Sequence, residues 1–120
     1  DKIFLFAGRS LRIANPGGKN LNIAQYIPAI RKGVKYRITF SVKVEMQDPA
    51  NGSVFIQFND GANFSWPRPE IKQSIPWTTY TTTFIARKSS DDKSSCYIRL
   101  YNYLCKAVVW YDGIRVEEVK

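Results

Sequence analysis

A chain of 120 residues has the length of one domain, and 44% hydrophobic with 14% aromatic residues is enough to build a core and excludes a disordered chain. Lys and Arg number 18 against 10 Asp and Glu, a net charge of +8, and histidine is absent. Without histidine there is no Ser-His-Asp or Cys-His arrangement and no ordinary catalytic zinc site, so the composition favours binding over catalysis. No apolar run approaches the roughly 18–20 residues that span a bilayer, so membrane insertion is not expected. Residues 1–6 show neither the long apolar centre nor the small-residue cleavage site of a signal peptide, and the chain reads as a piece of a larger multidomain protein.

From the N-terminus onward, period-2 alternation dominates and no long helix is expected. The first runs are residues 10–14 and 21–27, separated by the turn sequence Asn15-Pro16-Gly17-Gly18. Residues 34–45 make the strongest strand, with Tyr36, Ile38, Phe40, Val42 and Val44 on one face and Lys35, Arg37 and Lys43 on the other. The turn 48–52 leads into a run at 53–59, closed by Asn59-Asp60-Gly61. Residues 62–76, including Trp66-Pro67-Arg68-Pro69, are expected to form a functional loop, because two prolines exclude a central strand. Runs at 77–86, 96–104 and 107–119 follow, with a turn at 89–95. Seven strands at this spacing predict an all-β, antiparallel β-sandwich, one domain over residues 1–120. Cys96 and Cys105 fall at opposite ends of one strand, beyond the roughly 7 Å a bridge allows, so two free thiols are expected.

Five pieces carry a resemblance: Ser10-Leu11-Arg12-Ile13, Ala24-Gln25-Tyr26-Ile27, the segment 33–43, Trp77-Thr78-Thr79-Tyr80-Thr81-Thr82-Thr83-Phe84, and Val109-Trp110-Tyr111-Asp112-Gly113-Ile114-Arg115-Val116-Glu117. In this order they resemble carbohydrate-binding modules of the family 4, 9 and 22 kind, over residues 8–118. The resemblance implies a galactose-binding-domain-like jelly roll. It also implies a non-catalytic module that holds a secreted or cell-surface polysaccharide-active protein on its glycan. Asp112 matches the Asp that helps hold a structural calcium in many members. Phe6-Ala7-Gly8-Arg9 could offer only carbonyls where an early carboxylate is usual, and capping of a turn before Gly113 is the competing role. No other cofactor is expected. The family's opening strand is missing, replaced or supplied elsewhere, because only residues 1–7 precede the Ser-Leu strand.

Sugar-binding surfaces pair aromatic rings, which stack on the C–H faces of pyranoses, with planar polar groups that read hydroxyls. Residues 96–104 divide into Cys96, Ile98, Leu100, Asn102 and Leu104 inward, and Tyr97, Arg99, Tyr101 and Tyr103 outward. Residues 53–59 divide into Val54, Ile56 and Phe58 inward, and Phe55, Gln57 and Asn59 outward. In the family's jelly roll, corresponding strands share the sheet that carries the cleft. Phe55, Gln57, Asn59, Tyr97, Arg99, Tyr101 and Tyr103 are therefore candidate carbohydrate-binding residues, and Trp66 is the eighth, on a rim that it forms with Phe64 and Arg68. Trp77, Tyr80 and Trp110 are expected to pack in the interior. The basic strand would attract an acidic polysaccharide. A basic surface with stacking rings also suits single-stranded nucleic acid, but no arginine-rich tract or RRM, KH or OB signature supports that partner. The alternative function is a protein-interaction or structural module in a larger assembly. For an enzyme only carboxylates remain, and Asp48, Asp60, Glu70, Asp91, Asp92, Asp112, Glu117 and Glu118 form no evident facing pair.

Overall fold

Alternation decides which side of each strand is buried, and the strands pair so that those sides meet. The computed structural model describes residues 2–59, 63–90 and 96–120, apart from the side chains of Ala7 and Asn63. Of the expected turns at 59–61 and 89–95, residues 60–61 and 91–95, with Asp60, Asp91 and Asp92, lie outside the described residues. The strands are β1 (Lys2–Phe4), β2 (Leu11–Asn15), β3 (Asn20–Tyr26), β4 (Lys35–Asp48), β5 (Ser53–Asn59), β6 (Asn63–Ile71), β7 (Ile75–Ile85), β8 (Tyr97–Tyr103) and β9 (Lys106–Glu118). A single 3-10 turn, Phe6–Gly8, joins β1 to β2.

The front sheet has the order β3-β8-β5-β6, and the back sheet has the order β1-β9-β4-β7 with β2 also paired to β9. Every pairing is antiparallel. The two sheets bury Ile38, Phe40 and Val42 of the back sheet against Ile56, Phe58, Ile98 and Leu100 of the front sheet. This is the antiparallel sandwich that the alternation predicts.

β9 keeps its apolar residues inward through a change of parity. Val109 and Tyr111 are buried at odd positions, Ile114 and Val116 at even ones. The pairing shifts by one residue between Thr39↔Arg115 and Ser41↔Asp112, and Gly113 takes the left-handed conformation there, φ 61°. A β-bulge with glycine in that conformation absorbs the extra residue.

Two buried polar groups tie the layers together. The Tyr111 hydroxyl, from the back sheet, lies 2.9 Å from the carbonyl oxygen of Phe55 and 2.7 Å from that of Tyr101 in the front sheet. The Asn102 amide donates to the carbonyls of Ile13 and Ala107, both at 3.0 Å, and accepts from the Cys105 thiol. Buried polar groups of this kind are tolerated because they are satisfied. Cys96 and Cys105 are both buried free thiols, as expected.

Two expectations need correction, and one strand was not expected. The proposed loop over 62–76 is largely strand β6, at the edge of the front sheet. An edge strand tolerates residues without an N–H, and the pairing breaks between Val54↔Ile71 and Ile56↔Trp66, so Pro67 and Pro69 (both following cis peptide bonds) fall outside the ladder. The N-terminal residues also form a strand, β1, which pairs Lys2–Phe4 with Arg115–Glu117. Trp77 and Trp110 are not interior. Trp77 is 49% exposed, and Trp110 is half-buried on the outer face of the back sheet, opposite Arg12 and Lys43. Tyr80 does pack inward, stacked on Phe40 at 5.7 Å. No helix among the described residues is long and apolar enough to cross a membrane.

Candidate functional site

The outer face of the front sheet is built from residues that pair directly across strands, since opposed residues in an antiparallel ladder share a face. Four rows result. One runs Asn20, Tyr103, Ser53 and the next Asn22, Tyr101, Phe55. The third runs Ala24, Arg99, Gln57, Ser65, and the fourth brings Tyr26, Tyr97 and Asn59 together. Seven of the eight expected carbohydrate-binding residues thus share one surface: Phe55, Gln57, Asn59, Tyr97, Arg99, Tyr101 and Tyr103.

At one end the rings form a cluster. Phe55 stacks on Tyr101 with centroids 4.6 Å apart, and Tyr103 meets both edge-on at 6.0 Å. All three are half-buried, so part of the ring surface stays in solvent. At the other end the Arg99 guanidinium lies over the Tyr97 ring, 4.7 Å from its centroid, which covers that face of Tyr97 and holds the guanidinium in place. Gln57, Asn59 and Asn22 flank the rings with amides, groups that can donate and accept at once. Arg99 is the one charged residue in these rows.

The eighth residue, Trp66, is on the other side. It pairs with Ile56, and Phe64 pairs with Phe58, so both face inward and pack against the core. Phe64 contacts Phe58 and Phe84 at 5.4 and 5.7 Å. The expected aromatic rim is therefore core lining. The Trp66 indole nitrogen is buried there without a hydrogen-bond partner among the described residues. Arg68 is exposed and donates to the Ser65 carbonyl at 3.1 Å. Asn20, Asn22, Tyr26 and Ser65 were missed as members of the face. The alternation of Asn20 and Asn22 with Leu21 and Ile23 was the available signal.

The basic strand is also displaced from the site. Lys35, Arg37 and Lys43 belong to β4 in the back sheet, so their charges stand on the opposite side of the sandwich from the ring cluster. Arg37 lies 4.0 Å from Glu117 and Lys43 3.9 Å from Glu45. Asp112 accepts from the Gly113 backbone N–H at 2.8 Å, the turn-capping geometry. Among the described residues no group of three or more Cys, Asp or Glu side chains could hold a metal ion. A cleft of about 510 Å³ between β6 and β7, floored by Ile71, Ile75 and Tyr80, lies away from the ring cluster.

This architecture defines a class of fold, the antiparallel jelly-roll β-sandwich. No protein-family model matches the sequence, and no curated protein matches it. Among solved structures, a family 16 carbohydrate-binding module shares 16% identity over 91% of this chain and 76% of its own, TM-score 0.63. The N-terminal cellulose-binding domain of β-1,4-glucanase C from Cellulomonas fimi shares 13% over 98% and 83%, TM-score 0.64. A cyclase from Fischerella sp. TAU shares 17% over 91% of this chain and 63% of its own, TM-score 0.58. Likeness at this level establishes the fold, and the fold alone does not assign the activity.

Proposed function

We propose that the protein is a non-catalytic carbohydrate-binding module that takes a polysaccharide or oligosaccharide on the outer face of the front sheet. The observation that carries this reading is the Phe55–Tyr101–Tyr103 ring cluster flanked by Asn22, Gln57, Asn59 and Arg99 on one solvent-facing surface. The rings would stack on sugar C–H faces while the amides and guanidinium read hydroxyls. Two structural neighbours, a carbohydrate-binding module and a cellulose-binding domain, support it. In this reading the module holds a secreted or cell-surface polysaccharide-active protein on its polymer. The net charge of +8 points to an acidic polymer, since it would raise the encounter rate with a polyanion.

A glycan array at two salt concentrations identifies the polymer class, and calorimetry on Tyr101→Ala tests the site. The expected loss of affinity is about tenfold or more, the scale of losing one stacked ring with its partner contacts. Unchanged affinity in a folded variant removes the cluster from the site. Silence across the array favours a second reading, a protein-interaction module. β3 supports that one: it is an edge strand, with Ile23 38% and Tyr26 46% exposed, and an unpaired edge can accept a strand from another chain.

A further inference from the structure

The outer face of the back sheet carries a row of side chains that the front-sheet reading does not use. Across neighbouring strands β7, β4, β9 and β2 it runs Trp77, Lys43, Trp110, Arg12. Arg12 and Lys43 each lie directly opposite Trp110 in register. Their charged ends approach its ring from the strands on either side, 5.9 and 5.1 Å from the centroid. Trp77 falls in the register break between Val42↔Thr78 and Val44↔Ile75, beside Lys43, and is 49% exposed. With strands about 4.8 Å apart, the row of four spans roughly 14 Å.

We propose that this row is a second binding surface, for an anionic polysaccharide. A cation held over an indole by the ring quadrupole keeps its N–H donors free for an incoming anion. No carboxylate pairs with Arg12 among the described residues, and a guanidinium presents the fork that matches a carboxylate or sulfate. Trp77 adds an open ring face. The adjoining row supplies hydroxyls: Ser41 and Thr79 are hydrogen-bonded at 2.8 Å. Asp112, Glu45 and Glu117 share this face with the cations. A surface so interspersed suits a polymer with spaced carboxylates better than the dense phosphates of a nucleic acid. The inference rests on the carbohydrate reading of the module but not on the front-sheet site, and the two fail separately.

The test measures binding of polygalacturonate, a neutral β-glucan and single-stranded DNA to the whole chain at low and high salt. The variants are Trp77→Ala, the double variant Arg12→Ala/Lys43→Ala, and Tyr101→Ala. Expected for both back-sheet variants is a loss of about tenfold or more for polygalacturonate, with a flatter salt dependence and unchanged binding of any neutral glucan that depends on Tyr101. Should Trp77→Ala fail to fold, the double variant, which alters only charged surface residues, carries the test. The proposal is overturned if the wild-type chain does not hold polygalacturonate at low salt, or if both variants bind it as wild type does. It is also overturned if only Tyr101→Ala abolishes that binding, or if single-stranded DNA outcompetes polygalacturonate at this row. Neutral glucan binding without polygalacturonate binding defeats this inference alone, whereas no glycan binding of any kind defeats the carbohydrate reading with it.

Discussion

Tyr111→Phe removes one oxygen from between the two sheets and leaves the ring in place. The residue is fully buried, and its hydroxyl sits 2.9 and 2.7 Å from the Phe55 and Tyr101 carbonyls. Those residues are a cross-strand pair, and their rings stack at 4.6 Å on the outer face. Loss of the hydrogen bond, together with two buried acceptors left without that donor, amounts to about 2 kcal/mol. For a chain of this length each kcal/mol shifts Tm by about 3–6 °C, so the expected fall is about 6–12 °C. Differential scanning calorimetry at pH 7 measures it, paired with glycan titration at a temperature where both proteins are folded. Affinity is expected to fall about threefold, because the backbone under the ring cluster loses its tie to the back sheet. A Tm within about 2 °C of wild type would refute the reasoning, since neither carbonyl would then depend on the hydroxyl.

Three further outcomes are expected. A Cβ at Gly52 would stand 1.9 Å from the Tyr103 carbonyl oxygen and 2.4 Å from the Leu104 carbonyl carbon. Both are backbone atoms that cannot swing aside, so Gly52→Ala should destabilise by about 3 kcal/mol or more in chemical denaturation, and a midpoint like that of wild type would contradict the packing there. Burial raises the Cys105 thiol above its ordinary value of 9.0 and the Tyr111 hydroxyl above 10.0. The folded protein then keeps protons that the unfolded chain releases, so stability should fall as pH rises past about 9, by up to about 1.4 kcal/mol per unit per group. Denaturation series from pH 7 to 11 should show a shallower fall for Tyr111→Phe, and equal slopes would assign the alkaline loss elsewhere. Trp66→Phe keeps the ring on the core side and deletes a buried N–H that has no partner among the described residues. It should change stability by less than about 1 kcal/mol and leave glycan affinity untouched, whereas a weakened titration would return Trp66 to the site.

The sequence alone determined the faces of β4, β5 and β8. In β4 apolar and polar residues alternate without a break, and in β5 and β8 the aliphatic residues Val54, Ile56, Ile98 and Leu100 keep to one parity; because successive side chains on a strand point to opposite sides, burying one set exposes the other wherever the strand is placed. That is why Tyr97, Arg99, Tyr101, Tyr103, Phe55, Gln57 and Asn59 are legible in the sequence as one outward group. The tryptophans were not legible in the same way. Around Trp110 both parities are apolar, Val108 and Trp110 against Val109 and Tyr111, so alternation could not choose between them, and Gly113 reverses the parity three residues later. Trp66 was hidden by the prolines beside it, which argue against a strand but not against an edge.

Only the tertiary structure decided which sheet each strand joins. The lysines and arginine of β4 were readable as outward. Nothing local to residues 34–45 says that their outward side is the back of the sandwich, with the ring cluster on the front. Side-chain direction follows from the geometry of a single strand, whereas sheet membership depends on pairing between residues tens of positions apart, such as Ser41 with Asp112 and Phe55 with Tyr101. Those pairings are settled by how the whole apolar surface can be buried at once.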